Sequence, residues 1–242
     1  MSEEAAGDED VPTPLESLGS MAALEVETAR DQRHIEIYTS KGLLSMFRHG
    51  PIDAENVVLM VGGAMGGVLG PAEGLYFDLA ETMAALGIGT IRIGYRKPND
   101  LPRCLHDTAA AADLATRSGT RRFITIGHSF GGAVAVQAGV AFRDHCAGVV
   151  TLATQSAGCE TAETLGTTPL LLMHGDSDEI LPMMASQMVQ MIAGTGELVI
   201  LPGAGHLLTE AADELRQRLI TWIPEHFESH AAAGLPGPAP GQ

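Results

Sequence analysis

Two side chains and an acidic segment in this sequence have the types and the order that nucleophilic catalysis needs. Ser129 lies in a G-x-S-x-G segment, and His206 follows a later apolar run. A serine hydroxyl becomes a nucleophile when a base takes its proton, and an imidazole with a pKa near 6.5 can take that proton and return it. A carboxylate fixes the tautomer of the imidazole. Asp176, Asp178 and Glu179 lie between the two in the chain and are the candidate acids.

The residues around Ser129 predict the backbone that such a nucleophile requires. Residues 122–126 are β-prone, residues 133–138 favour a helix, and G-H-S-F-G-G at 127–132 separates them. A sharp strand-to-helix turn strains the serine backbone and exposes its Oγ, while small neighbours let the helix approach. The N–H groups that open the helix then become anion donors. The alternative is a glycine-rich turn without chemistry.

Apolar runs and helical segments alternate through most of the chain. Strands are predicted at 33–38, 43–48, 57–61, 89–94, 122–126, 147–153, 169–173 and 197–201. Helices are predicted at 73–86, 101–118, 132–142, 183–192 and 209–227. The first strand alternates polar and apolar residues, as a half-buried edge strand does. Unbroken apolar strands separated by helices predict an α/β fold, with a doubly wound, mostly parallel sheet flanked by helices.

Composition divides the chain into three parts. Residues 1–30 mix acids, alanine and proline, and predict a flexible acidic arm with a short helix near residues 20–28. Residues 31–229 have the alternating pattern without an internal linker and predict one domain. Residues 230–242 are mostly Ala, Gly and Pro and predict a disordered tail.

Reacting groups of a parallel sheet collect beyond the carboxyl ends of its strands. H-G-D-S-D at 174–178 and G-A-G-H at 203–206 each follow a predicted strand, and the order along the chain is serine, acid, histidine. With G-H-S-F-G-G, these segments resemble the α/β-hydrolase family over roughly residues 33–228. The resemblance implies that Asp178, which matches the last Asp of the family's H-G-x-x-D segment, is the orienting acid, with Asp176 and Glu179 as fallbacks.

Backbone N–H groups are expected to bind the oxyanion. The first donor is the N–H of Phe130, the residue after the nucleophile. The second lies in the glycine-rich loop 62–67, where the resemblance implies Ala64, with Met65 as the next candidate. Gly62 stands where the family frequently has histidine, which leaves a backbone donor intact. The spacing G-G-A-M-G-G differs from the dinucleotide fingerprint G-x-G-x-x-G, so we expect no cofactor.

The same strand ends supply candidates for the substrate pocket. These candidates are Gly63, Val68, Leu69, His128 and Arg96, together with Met65 and loop residues 155–165. We expect Arg96 and Lys97 to be solvated charges of a surface loop; the alternative is that one of them holds an anionic substrate group.

Several other side chains are expected to be structural. We expect His174 to be a packed residue, His128 to pack within the strand-to-helix turn at residues 127–132 (the nucleophile elbow), and Cys159 to be an unactivated thiol. Methionines of one predicted helix are expected to fill the core, with a pocket wall as the alternative. These methionines are Met183, Met184, Met188 and Met191. The acids and histidines lack metal-ligand spacing, which predicts no metal.

The net charge and the number of cysteines limit which partners and which cellular compartment are expected. The 242 residues have a net charge of −16, and the first 28 include eight acids and no Lys or Arg. Nucleic acids and anionic membranes need a basic face, so neither is an expected partner. Three widely spaced cysteines and an acidic N-terminus indicate neither a disulfide framework nor a signal peptide, which favours the cytoplasm. The sequence carries no indication of an oligomeric state.

The spacing between the nucleophile and the acid indicates the substrate class. Ser129 and Asp178 are 49 positions apart, and residues 154–168 are too few for an inserted lid domain. A site without a cap favours small acyl groups on a small-molecule ester or thioester. The related dienelactone hydrolases use a cysteine where this chain has Ser129, so the resemblance to them does not extend to the nucleophile. Two alternatives stay open: a non-catalytic module of the same fold that binds a ligand or partner, and an acyltransferase.

Overall fold

A computed structural model describes residues 11–234 of the chain. These residues contain a nine-stranded sheet in the order β1-β2-β3-β5-β4-β6-β7-β8-β9. The strands are β1 (Ser20–Ala29), β2 (Gln32–Thr39), β3 (Gly42–His49), β4 (Asn56–Val61), β5 (Gly89–Gly94), β6 (Arg122–His128), β7 (Cys146–Leu152), β8 (Leu170–Gly175) and β9 (Glu197–Leu201). The β1, β2, β3 and β5 neighbours pair antiparallel, and every pair from β5 to β9 is parallel.

Five α-helices cover the two faces of this sheet. They are α1 (Leu75–Ala85), α2 (Leu101–Arg117), α3 (Phe130–Phe142), α4 (Met184–Ala193) and α5 (Ala212–Ala232). Buried residues of α1 and α5 share one core cluster with the sheet, and those of α2, α3 and α4 share the other. The predicted doubly wound α/β fold is therefore confirmed.

The parallel strands are buried on both faces, which explains their unbroken apolar sequences. In β4, residues Val57, Val58, Leu59 and Met60 are all fully buried. Odd and even positions of that strand enter different core clusters, because successive side chains point to opposite faces. Burying two faces of one strand gives the large apolar area that stabilises a sheet of this kind.

The N-terminal part differs from its prediction. Residues 20–29 form the strand β1, where a flexible arm with a short helix was predicted, and β2 is consequently not the edge strand. All ten residues of β1 are exposed, so backbone pairing with β2 holds the strand without a buried face. Leu24 and Val26 do alternate with Glu25 and Glu27, as in a strand, but the acid-rich composition of the segment favoured the prediction of an arm. The preceding 3₁₀ turn also packs on the domain through Leu18, and the predicted arm's residues 1–10 lie outside the described residues.

The C-terminal boundary also differs. Helix α5 continues to Ala232 and buries His230, so the first residues of the predicted tail are helical. The rest of that tail, residues 235–242, lies outside the described residues. Among residues 11–234, no helix combines the length and the apolar composition needed to cross a membrane.

The segment between β7 and β8 explains why the fold has no cap. Residues 160–165 form a short 3₁₀ helix, and Cys159, Ala162 and Leu165 from this region are buried in the core. This segment therefore packs onto the domain, which confirms the predicted fold without a cap domain.

Candidate active site

Ser129 lies at the junction of β6 and α3 with the backbone angles of a sharp turn. Its φ of 57° and ψ of −121° are unusual for a residue with a side chain. Two hydrogen bonds hold this conformation: Ser129 N–H donates to Leu152 O at 2.9 Å, and Gly132 N–H donates to Ser129 O at 2.9 Å. The strained backbone is thus fixed by strand β7 on one side and by the first turn of α3 on the other.

The glycines around Ser129 are required by close backbone approach. A Cβ at Gly127 would lie 1.8 Å from Gly131 O, and a Cβ at Gly131 would lie 2.4 Å from Gly62 O. Neither position has room for a methyl group, because both obstructing atoms belong to the backbone. The small residues therefore permit the turn that the sequence predicted around the serine.

The three side chains predicted for catalysis, Ser129, His206 and Asp178 (the triad), lie together at the carboxyl edge of the sheet. His206 Nε2 lies 3.0 Å from Ser129 Oγ, and His206 Nδ1 lies 2.8 Å from Asp178 Oδ2. The carboxylate accepts from Nδ1–H, which leaves the Nε2 lone pair for the serine hydroxyl. Asp178 and His206 follow the neighbouring strands β8 and β9, two and three positions from β6 in the sheet. This is the hydrogen-bond order that a serine nucleophile and its base require.

Asp178, and not its acidic neighbours, contacts the histidine. Its side chain is fully buried, and Oδ1 accepts from the N–H groups of Ile180 at 2.9 Å and Leu181 at 2.8 Å. Burial acts to raise the pKa of Asp178, but hydrogen bonds from the Leu181 amide, the His206 ring and the Ile180 amide outweigh it and lower the pKa. The acid is therefore held in its ionised form. Asp176 instead accepts from the Gly203 amide at 2.7 Å.

Two further histidines contact the triad. His128 donates from Nε2 to the carbonyl of His206 at 2.9 Å. His174, which the sequence marked only as a packed residue, lies with its Nε2 3.1 Å from Asp178 Oδ2. The sequence signal for the second contact is the spacing between positions 174 and 178, which places a histidine near the end of a strand four residues before the acid. Burial lowers the pKa of His128 to about 4, so this ring is neutral at pH 7.

The glycine-rich loop after β4 is anchored through its carbonyl groups. Tyr76 Oη donates to Val61 O at 3.0 Å, and Tyr95 Oη donates to Gly62 O at 3.3 Å. Both tyrosines are buried. These two hydrogen bonds restrict rotation of the peptide groups where the loop begins.

The amides predicted as oxyanion donors belong to two segments that meet at Ser129. A Cβ at Gly63 would lie 3.4 Å from the Cβ of Ser129, so the loop lies directly against the nucleophile. Phe130 is the first residue of α3, where backbone N–H groups lack helical acceptors. Within residues 11–234, the N–H groups of Ala64 and Phe130 donate no hydrogen bond. They are available to a ligand atom beside Ser129.

The remaining pocket candidates lie in different environments. Met65 is 95% exposed and Leu69 is 59% exposed, so both are open to a ligand at this end of the sheet. Val68 is half-buried, and a Cβ built at Gly94 would lie 3.4 Å from it, which directs Val68 toward β5.

The structure does not leave Arg96 free to hold an anionic substrate. Its Nε lies 2.5 Å from Asp107 Oδ1, its N–H donates to Asp107 Oδ2 at 2.8 Å, and both side chains are buried. Both expectations for Arg96, a solvated surface charge and a cation that holds a substrate anion, are therefore wrong. Lys97 remains exposed and pairs with Asp100 at 3.3 Å.

The methionine and cysteine predictions have opposite outcomes. Met184, Met188 and Met191 are 61%, 51% and 79% exposed, so the predicted core filling is wrong for these three. Helix α4 instead buries Ser186 and Val189 on its inner face. Cys159 is fully buried, and burial raises the pKa of its thiol to about 12, as expected for an unactivated thiol.

A large cavity lies away from these groups. It has a volume of about 830 Å³ and is lined by Leu170 and Glu197, the first residues of β8 and β9, and by Trp222 of α5. This position is at the amino ends of the strands, whereas the triad lies at their carboxyl ends. The cavity is therefore not the pocket of the triad.

Solved structures share this architecture over most of the chain. Est1E from Butyrivibrio proteoclasticus has a TM-score of 0.68 and 18% identity, with 81% of this chain and 99% of that chain covered. Dienelactone hydrolase from Anabaena variabilis has a TM-score of 0.69 and 19% identity, with 80% and 97% covered. A monoacylglycerol lipase from Paleococcus ferrophilus has a TM-score of 0.62 and 15% identity, with 76% and 99% covered.

The family comparison agrees with the fold. A model of the phospholipase/carboxylesterase family matches residues 109–218, a segment that includes Ser129, Asp178 and His206. The chain has the α/β-hydrolase fold. This confirms the resemblance that its three segments indicated, and the family matched over residues 109–218 is one of ester hydrolases. No curated protein sequence matches this α/β-hydrolase.

Proposed function

We propose that this α/β-hydrolase is a serine hydrolase that cleaves a carboxylic ester or thioester of a small acyl group through an acyl-enzyme. Ser129 is the nucleophile, His206 the general base and acid, and Asp178 the orienting acid. The observation that carries the proposal is the continuous contact from Ser129 Oγ to His206 Nε2 at 3.0 Å and from His206 Nδ1 to Asp178 at 2.8 Å.

Acylation begins when Ser129 Oγ attacks the carbonyl carbon and its proton passes to His206 Nε2. The new C–O bond converts the carbonyl oxygen to an oxyanion, which accepts from the N–H groups of Phe130 and Ala64, or of Met65 in its place. Collapse of this intermediate breaks the bond to the leaving group. The leaving alcohol or thiol takes the proton from His206, and the acyl group stays on Ser129.

Deacylation repeats these steps with water. A water molecule gives a proton to His206 Nε2 and attacks the acyl carbon. The second tetrahedral intermediate then releases the carboxylic acid, and Ser129 Oγ recovers its proton. Asp178 stays ionised throughout and stabilises the imidazolium in both halves of the reaction, in agreement with its lowered pKa.

The preference for a small acyl group rests on the open surroundings of the triad. The segment between β7 and β8 buries Cys159, Ala162 and Leu165 in the core and does not form a separate cap domain. Met65 and Leu69 are the exposed apolar side chains on the loop beside the nucleophile. A shallow surface contacts only the part of an acyl chain nearest to the reacting carbonyl. A long chain therefore gains little contact beyond that of a short chain.

Covalent labelling tests the nucleophile directly. A fluorophosphonate reacts with an activated serine by forming an O–P bond and releasing fluoride. Intact-protein mass is expected to show one adduct on the wild type and on the control variant Ser40→Ala, whose exposed serine lies on the β2–β3 turn. The variants Ser129→Ala and His206→Ala are expected to show none. A folded wild type that takes no adduct would overturn the proposal and favour a non-catalytic binding module.

Turnover then tests the reaction and the acyl preference. The wild type is expected to hydrolyse acetyl and butyryl esters faster than a long-chain ester of the same alcohol. Faster hydrolysis of the long-chain ester would contradict the small-acyl assignment. Transfer of the acyl group to an added alcohol in preference to water would identify an acyltransferase.

For the compartment we propose the cytoplasm. The cysteines of the described residues are all free and buried, as thiols are in a reducing environment. Cell fractionation with antibody detection tests this, and recovery in a secreted fraction would overturn it.

A further inference from the structure

The acid of the triad has a partner besides the catalytic histidine. His174 is the fifth residue of β8 and is fully buried. Its Nε2 lies 3.1 Å from Asp178 Oδ2 and 3.0 Å from the carbonyl oxygen of Leu181. Its Nδ1 lies 2.7 Å from the hydroxyl of Ser186, a fully buried residue of α4. Both nitrogens of a buried imidazole are thus engaged.

These partners determine where the proton of the His174 ring lies. An ionised carboxylate and a carbonyl group only accept hydrogen bonds, so Nε2 has to bear the hydrogen. A ring with its hydrogen on Nε2 alone has a lone pair on Nδ1, to which the Ser186 hydroxyl donates. Ser186 in this way selects the tautomer that donates to Asp178.

The carboxylate of Asp178 consequently has donors on both oxygens. Oδ1 accepts from the amides of Ile180 and Leu181, and Oδ2 accepts from His206 and His174. Two donors on each oxygen use the acceptor sites that a carboxylate offers. Rotation about χ2 would break all of these bonds, so the Oδ2 that faces His206 cannot move away.

We propose that His174 is a positioning residue of the triad, which holds Asp178 Oδ2 against His206 and is itself oriented by Ser186. This inference rests on the proposed function, since it assigns His174 a role in the reaction of Ser129. His174 does not touch the substrate; it acts through Asp178 and His206. The position four residues before the acid lets one strand end supply both groups.

Loss of this donor has a defined effect on the pH dependence of the reaction. With His174 gone, His206 is the single ring that shares the charge of Oδ2. The imidazolium form of His206 is then stabilised more strongly, so His206 stays protonated and inactive to a higher pH. The acid limb of kcat/KM is therefore expected to move upward by about half a pH unit to one unit.

Other ionisable groups lie near Asp178 and His206, and they have to be identical in the proteins whose pH profiles are compared. The His128 ring lies 5.0 Å from the His206 ring, and Glu179 lies beside Gly205. Asp176 and Glu210 accept from the amides of the loop that precedes His206. Since all of these groups are the same in the wild type and in variants at position 174, the difference between their pH profiles reports on His174.

The test compares His174→Leu, which removes the donor, with His174→Gln, whose Nε2 can still donate to Asp178. For His174→Leu we expect kcat about tenfold lower, KM within twofold of the wild type, and the upward shift of the acid limb. For His174→Gln we expect recovery of most of kcat and of the wild-type profile. Ser186→Ala keeps the ring and removes its orienting hydroxyl, so its kcat should lie between those of the wild type and His174→Leu.

Thermal unfolding and fluorophosphonate labelling distinguish a failure of the proposed function from a failure of the role proposed for His174. If wild-type Ser129 takes no adduct, the proposed function fails, whatever position 174 does. If the wild type is labelled and active, a folded His174→Leu with wild-type kcat, or with an unshifted or lowered acid limb, overturns the role of His174. Should His174→Leu not fold, the result for His174→Gln and Ser186→Ala decides, and wild-type kinetics in Ser186→Ala with loss of activity in His174→Gln would overturn the proposal.

Discussion

His128 Nε2 donates a hydrogen bond to the backbone carbonyl of His206 at 2.9 Å. The residue that precedes Ser129 thus fixes the position of the loop that carries His206. The two rings lie 5.0 Å apart, and His128 is buried. The elbow therefore positions both Ser129, through its backbone turn, and His206, through this side chain. The bond joins the last residue of β6 directly to the loop that follows β9, a strand that is not a neighbour of β6 in the sheet.

Replacement of His128 by phenylalanine keeps a ring in this position and removes the donor. We expect kcat for a short-chain ester to fall about threefold to tenfold, because one neutral hydrogen bond contributes about 1 kcal/mol. KM should change less than twofold, since the bond holds the base and not the substrate. Steady-state kinetics at pH 8 checks this, with His128→Gln as the variant that keeps an amide donor. Equal kcat for all three proteins would show that the bond does not position His206.

Two buried histidines predict a loss of stability in mild acid. Burial lowers the pKa of His49 to about 4, with a further contribution from the nearby Arg92, and burial lowers the pKa of His128 to about 4. The unfolded chain takes up these protons below about pH 6.5, whereas the folded protein does so only near pH 4. Stability is therefore present above pH 6.5 and lost as the pH falls toward 4. Each histidine contributes about 2 kcal/mol to the loss between pH 7 and pH 5.

Urea unfolding at pH 7 and pH 5 measures this effect. The variant His49→Gln has no titrating ring, and its amide oxygen can accept from Arg92, which donates to His49 Nε2 at 3.1 Å. Its free energy of unfolding should fall by about 2 kcal/mol less than that of the wild type between the two pH values. The same pH dependence in both proteins would contradict the assignment to His49.

The sequence predicted the parallel half of the sheet well because burial on both faces leaves a visible pattern. Strand β9 at Glu197–Leu201 and strand β5 at Gly89–Gly94 have the predicted bounds. The segments of Ser129, Asp178 and His206 were found for the same reason, since each follows such a strand. Strand β1 has no buried face and lies in an acid-rich segment, whose composition outweighed the short alternation of Leu24 and Val26 with glutamates.

The contacts of the site that the sequence did not predict are pairings between distant side chains. Nothing in the chain indicates that Arg96 pairs with Asp107 on the next helix, or that Ser186 of α4 orients His174. Such pairs depend on how a helix packs over a strand end, and the apolar periodicity that predicts the helix does not specify that geometry. The exposed Met184 has the same explanation, because its helix buries a different face.

Substitution of Gly131 by alanine should disrupt the elbow and the loop beside it. The added Cβ would lie 2.4 Å from Gly62 O and 2.9 Å from Val61 O, and both are backbone atoms. We expect a loss of about 3 kcal/mol or more in the free energy of unfolding, together with loss of fluorophosphonate labelling. Gly205→Ala is the control near the same site, because its Cβ would meet only the mobile carboxylate end of Glu179 at 3.2 Å. A Gly131→Ala protein that is as stable as Gly205→Ala would contradict the observed packing.

The buried pair of Arg96 and Asp107 predicts that Arg96 contributes to stability and not to substrate charge selection. Arg96→Leu leaves the Asp107 carboxylate buried without its cation, at a cost of about 3 kcal/mol or more in the free energy of unfolding. Arg96→Leu with Asp107→Leu removes both charges and should recover most of that loss, because a buried ion pair and an apolar pair of similar volume are often equally stable. In the double variant, the ratio of kcat/KM for an anionic and a neutral short ester should equal that of the wild type. A fall in that ratio of tenfold or more would return Arg96 to the substrate site.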